Sequence, residues 1–314
     1  MEKTAREVFA RGKVYTDLAL EARESAGDEA GRIPGVKIRE KEKKGIRVTS
    51  VEVTDKRGEE AIGKPAGLYV TLEAGRLREK DPKGNRAVAE ELSFYIRELL
   101  KAAGSPDSVL VVGLGNHEVT PDSLGPRVLD NLKISGHLKE KGPGASVSGI
   151  VPGVMAQTGM ETARIIHGIV KETRPGAVLA IDALAARSVS RLGTAIQLSS
   201  TGIRPGSGVG NHRHSLTEES LGVPVIALGV PTVVAAAAIV YDTLDSLAEL
   251  LKAAGADGQA GAVECMGPEE RYQMVRELIE PRLGPMYVTP GNIDEQVKLL
   301  SFVLSEGINL ALSE

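Results

Sequence analysis

One cysteine, Cys265, is all that the 314 residues carry, and tryptophan is absent. A lone thiol cannot close a disulfide within the chain, which suits a reducing compartment. Nothing near it in sequence would activate it as a nucleophile. Aromatic residues make up 3% and the formal net charge is −4. So few rings argue against base-stacking platforms, and a phosphate backbone rewards a positive surface that this balance does not supply. No direct contact with nucleic acid is expected. Long apolar runs are also missing: the longest, 223–241, is broken by Pro224, Gly229 and Pro231, and reads as strand, turn and helix start rather than a membrane span. The opening MEKTAREVFARGK is charged throughout and has no signal-peptide core. The expected location is cytoplasmic, with no membrane partner. Also absent are G-x-S-x-G, H-E-x-x-H, paired cysteines and the D-T/S-G of pepsin-like enzymes.

What is present is an ordinary globular composition, 42% hydrophobic with 25% charged. The apolar runs VLVVG (109–113), AVLAID (177–182), TAIQLS (194–199) and PVIALG (224–229) are short and apolar on both faces. A mostly parallel sheet with helices on both faces demands such strands, so the fold class is α/β. Helical spacing marks 86–103, stopped by Gly104, then 233–253 and 293–312, and Thr158 with Glu161 has capping-box spacing ahead of Ile165, Ile166 and Ile169. The charged first hundred residues, with an alternating strand at Ile46–Val53, read as a peripheral subdomain over 18–104. The core then spans 105–314, with an irregular insertion near 245–285.

Reactive groups in open parallel sheets gather beyond the carboxyl ends of the strands. Two aspartates fall there. Asp122 lies in GLGNHEVTPDSLGP (113–126), where Glu118 replaces the third glycine of a dinucleotide fingerprint, so no nicotinamide or flavin is expected. Asp182 follows five apolar residues, an expensive place for an unpartnered charge. Either could simply cap a following helix. Brought together, like charges would raise one pKa and leave one acid and one base for activating water. The glycine-rich loop SSTGIRPGSGVGNHRHSL (199–216) lacks the Walker spacing. Its amides at Gly206, Ser207 and Gly208 are candidates for holding a peptide backbone. Arg187, Arg204 and Arg213 are the nearest cationic candidates for holding a substrate, and His212 or His214 for a metal. A metal-dependent peptidase, a phosphate-using transferase and a non-catalytic binding protein all remain open.

Taken in order, GLGNHEVTPDSLGP, IDALAARSVSRLGTAIQLSSTGIRPGSGVGNHR, GVPVIALGVPTVV and MYVTPGNIDEQVKLLSFVLSEGINLAL resemble the germination protease family of spore-forming bacteria, over a span from about Asp17 to the C-terminus. The resemblance implies an atypical aspartic endopeptidase without a cofactor, acting on small acid-soluble proteins in the spore core, and a homotetramer. It carries the two essential aspartates onto Asp122 and Asp182. It also implies a zymogen: Thr16, Asp17, Leu18, Ala19 and Glu21 look like the family's substrate sequence, so self-cleavage between Asp17 and Leu18 would release a 1–17 propeptide. More distantly, the glycine turn and the two aspartates are similar to hydrogenase-maturation peptidases, whose equivalent acids meet nickel, and phosphorylases are a further fold analogue.

Overall fold

The structure, a computed structural model, describes residues 16–26, 33–78, 81–137, 144–205, 214–256, 258, 261 and 267–313. Its strands are β1 (Val36–Lys43), β2 (Ile46–Val53), β3 (Gly67–Glu73), β4 (Ser108–Gly113), β5 (Ser146–Ile150), β6 (Ala177–Ala186), β7 (Ala195–Ser199), β8 (Val225–Ala235) and β9 (Tyr287–Val288). The helices are α1 (Ala19–Ser25), α2 (Lys56–Ile62), α3 (Pro82–Ala102), α4 (Leu124–Asp130), α5 (Met155–Thr158), α6 (Thr162–Thr173), α7 (Glu218–Leu221), α8 (Ala236–Ala253), α9 (Pro268–Leu283) and α10 (Ile293–Leu312). Among the described residues all nine strands join one sheet, in the order β1-β2-β3-β7-β8-β6-β4-β5, with β9 beside β8.

Period-two alternation divides each central strand between two cores. Val109, Val111, Leu179, Ile181, Ile196, Leu198, Ile226 and Leu228 face α3, α4 and α10. Leu110, Val112, Val178 and Ala180 face the other way, toward Ile166 and Val170 of α6. That explains why the runs are apolar throughout: both faces are covered. Over β2 and β3 the second face is closed instead by α1 and α2, where Ala19, Val51, Val53, Ile62 and Tyr69 meet.

Strands β5, β4, β6 and β8 are parallel, as their crossover helices require. β7, expected among the parallel strands, runs antiparallel to β8 and carries β3, β2 and β1 with it. The stretch 18–104, read as peripheral, thus supplies three strands of the same sheet, and α3 packs on α10.

Local signals held unevenly. β2 and α10 match their expected bounds, and α3 ends at Ala102, just ahead of Gly104, whose φ of +91° is a left-handed glycine stop. The capping box at Thr158 does not form. Gly159, at φ +68°, closes the single turn of α5, and Glu161 caps α6 without a side-chain bond because its carboxylate is engaged by His214. Between 245 and 285 the described residues are largely helical, in the end of α8 and in α9.

Candidate active site

β6 does not stop at Asp182. It runs on to Ala186 beside β8, past the point where β4 ends opposite Ile181. No helix follows Asp182, so the capping reading falls. The residue is 5% exposed, and its Oδ1 accepts the amide of Ala183 at 2.9 Å. By the alternation of β6 it shares the face of Val178 and Ala180. Asp182 stands opposite Gly229 of β8, and Gly229 stands opposite Gln197 of β7, so Asp182 and Gln197 occupy one level of the sheet. A side chain at Gly229 would strike Leu184 at 2.6 Å, so glycine there keeps room for Leu184.

Asp122 ends a 3₁₀ turn, Thr120–Asp122, and is half-buried. The turn is tied down on three sides. Asn116 donates its amide to the Asp122 carbonyl at 3.0 Å, and Thr232 of β8 donates to the Pro121 carbonyl at 2.7 Å. Thr120 donates its hydroxyl to Asp294 at 3.0 Å. Gly115, at φ +111°, lies so close that an added Cβ would sit 1.9 Å from the Asp122 carbonyl oxygen. One residue earlier, Leu114 donates its amide to the carbonyl of Ile181 at 2.8 Å. The Thr120–Asp122 turn is therefore fixed beside the end of β4, whose last residues are held by Ile181, the residue before Asp182.

Into this end of the sheet comes the segment Thr16–Glu21. Asp17 donates its amide to the Ala185 carbonyl at 3.1 Å, and its Oδ2 accepts the Ala185 amide at 2.9 Å. Ala185 is three residues beyond Asp182, about 10 Å along a strand. Leu18 is fully buried among Leu184, Ala186, Ala195 and Ile203. Thr16 Oγ1 accepts the Leu18 amide at 3.1 Å and donates to Glu21. Glu21, 1% exposed, accepts the amides of Arg187 at 2.7 Å and Ser188 at 2.9 Å, with Arg191 at 3.5 Å. Arg191 in turn meets Glu24 and Glu73. Lys64 Nζ reaches the carbonyls of Thr16 and Asp17. Its stem is partly exposed but the ammonium is enclosed, and burial draws its pKa below the ordinary lysine value against the pull of Asp17 and Glu21, with Arg204 pushing the same way as burial.

Of the expected binding residues, Arg187 lends its backbone amide to Glu21 while its guanidinium stacks 5.0 Å over Tyr241. Arg204 is exposed. Gly206, Ser207, Gly208, His212 and Arg213 lie outside the described residues. His214 is turned to Glu161 through both its amide and Nδ1. Among the described residues no group of three His, Cys, Asp or Glu is arranged to hold a metal. Lys64, Gln197 and Arg191 were not anticipated. Gln197 alone left a signal, an amide inside a strand whose other residues are almost all apolar.

Such an arrangement defines an α/β protein whose segment Thr16–Glu21 is docked on the part of β6 that runs on beyond Asp182. The germination protease family model matches residues 14–260. The chain is 48% identical to the germination protease of Caldanaerobacter subterraneus subsp. tengcongensis, over 95% of its own length and 94% of the relative's. It is 42% identical to that of Clostridium tetani, over 95% of each, and 40% identical to that of Priestia megaterium, over 95% and 93%. Among solved structures, a [NiFe] hydrogenase maturation protease, HycI, from Thermococcus kodakarensis matches 44% of this chain and 80% of its own at a TM-score of 0.30 and 16% identity. The chain belongs to the germination protease family and is a peptidase. No helix among the described residues is long and apolar enough to cross a membrane.

Proposed function

We propose that the protein is a self-processing endopeptidase that cleaves its own Asp17–Leu18 bond and then small acid-soluble spore proteins, with Asp122 and Asp182 activating water. The observation that carries this reading is the docked segment. Thr16, Asp17, Leu18, Ala19 and Glu21 are each engaged, on the sheet face that also bears Asp182, by contacts a substrate of the same pattern would make. In the reaction one carboxylate takes a proton from water as its oxygen bonds to the carbonyl carbon of Asp17. The other, protonated, gives its proton to the Leu18 nitrogen as the C–N bond breaks. Two carboxylates acting on one bond would favour sharing a single proton between them. The spore-core location and a homotetramer belong to the same reading.

The test is the intact mass of the full chain over time, for wild type, Asp122→Asn and Asp182→Asn, each with and without a chelator. The expected outcome is loss of residues 1–17 by the wild type alone, unaffected by chelator. Normal processing by both variants would remove the aspartates from the mechanism, and arrest by chelator would replace the dyad with a metal.

A further inference from the structure

Two side chains meet on the carbonyl oxygen of Asp17. Lys64 Nζ lies 3.0 Å from it, and Gln197 Nε2 also lies 3.0 Å away. Gln197 Oε1 accepts the amide of Ala19 at 2.6 Å, so one carboxamide spans the Asp17–Leu18 link and grips the backbone on both sides. Only one orientation of that amide serves both contacts, nitrogen toward the carbonyl and oxygen toward the N–H. Lys64 reaches further back, to the Thr16 carbonyl at 2.9 Å. Gln197 is 7% exposed, in a strand whose other residues are almost all apolar. Packing alone would favour an apolar residue there, since a buried amide stabilises little unless both ends are bonded.

We propose that Lys64 and Gln197 are the oxyanion donors of this peptidase, holding the carbonyl oxygen of the residue before the cut bond. They would do so first at Asp17 and then in any substrate peptide laid in the same groove. The inference rests on the reading of Asp17–Leu18 as the bond cleaved. When the water oxygen bonds to the Asp17 carbonyl carbon and its proton passes to a carboxylate, the carbonyl π pair moves onto the oxygen that both side chains face. When that pair returns, the C–N bond breaks, and the Leu18 nitrogen takes a proton from the protonated carboxyl. A new carboxylate and a new amine result. Fixed donors at the atom where charge develops, in an enclosed site, act on the transition state more than on the bound peptide. Loss of one such donor costs about 10²–10³ in rate.

The experiment follows self-processing of the full chain in wild type, Lys64→Met, Lys64→Arg and Gln197→Glu. Gln197→Glu keeps the acceptor for Ala19 and replaces the donor with a carboxylate oxygen, which when ionised also repels the developing charge. Two quantities are read: the first-order rate of cutting between residues 17 and 18, and hydrogen-exchange protection of the Asp17 and Ala19 amides, which reports docking. The expected result is a rate about 10²–10³ lower in Lys64→Met and Gln197→Glu, with protection within tenfold of wild type and partial rescue of the rate by Lys64→Arg. Cutting within threefold of wild type by both variants would overturn the proposal and leave the peptidase reading intact. So would a parallel loss of rate and protection, which would make the two residues structural. A wild type that does not cut at this bond would overturn both readings. If Asp122→Asn and Asp182→Asn cut normally while the two donors behave as expected, only the dyad would fall.

Discussion

Replacing Glu21 with alanine is the perturbation that most directly probes how the N-terminal segment is held. Its carboxylate is almost wholly buried and satisfies two backbone amides, Arg187 at 2.7 Å and Ser188 at 2.9 Å, besides the Thr16 hydroxyl and the edge of Arg191. A buried donor left without its acceptor costs about 1–3 kcal/mol, so two of them put the loss near 4 kcal/mol. Arg191 softens this little in either direction, since Glu24 and Glu73 still neutralise it. Glu21→Gln keeps one oxygen acceptor and should lose about half as much. The damage is local, because the segment can undock without unfolding the sheet, so native-state hydrogen exchange is the appropriate assay. Exchange of the Arg187 and Ser188 amides should speed up by about a thousandfold in Glu21→Ala, the kinetic equivalent of about 4 kcal/mol, and by much less in Glu21→Gln. An acceleration below tenfold in Glu21→Ala would mean that water satisfies these amides as well as the carboxylate does, and the account of the docked segment would be wrong.

Two further outcomes can be checked separately. Gly115→Ala should abolish or nearly abolish processing while the protein still folds, because a Cβ at φ +111° would sit 1.9 Å from the Asp122 carbonyl and must displace that turn; intact-mass kinetics beside a thermal melt separate the two effects. Burial holds the hydroxyls of Tyr69 and Tyr272 up to about 12, above the ordinary 10.0. A raised folded pKa stabilises fully below pH 10 and is lost on the way to pH 12, so each tyrosine should forfeit about 3 kcal/mol over that window. Urea unfolding at pH 9 and pH 11.5 should show a flatter decline in Tyr69→Phe and Tyr272→Phe, and slopes equal to wild type would refute the burial argument.

The α/β class was legible because a sheet covered on both faces needs strands apolar at every position, a property of the linear string. So were α10 and β2, whose bounds follow from period and punctuation. Asp122 and Asp182 stood out for local reasons, a glycine turn and a charge after an apolar run. What the string could not reveal is that β6 continues through Asp182, because ALAA reads equally as helix or strand and only pairing with β8 decides it. Nor could it reveal that β7 turns antiparallel and draws β1, β2 and β3 into the same sheet, since pairing partners are chosen by contacts distant in sequence. Lys64 and Gln197 are 133 positions apart, and each is unremarkable beside its neighbours. They become a pair only where the folded sheet brings β7 and the loop before β3 to the carbonyl of Asp17. Periodicity and backbone preference write the elements and mark the aspartates, whereas the clamp around the docked segment exists only once the sheet has closed, because a hydrogen bond depends on distance in space and not on order along the chain.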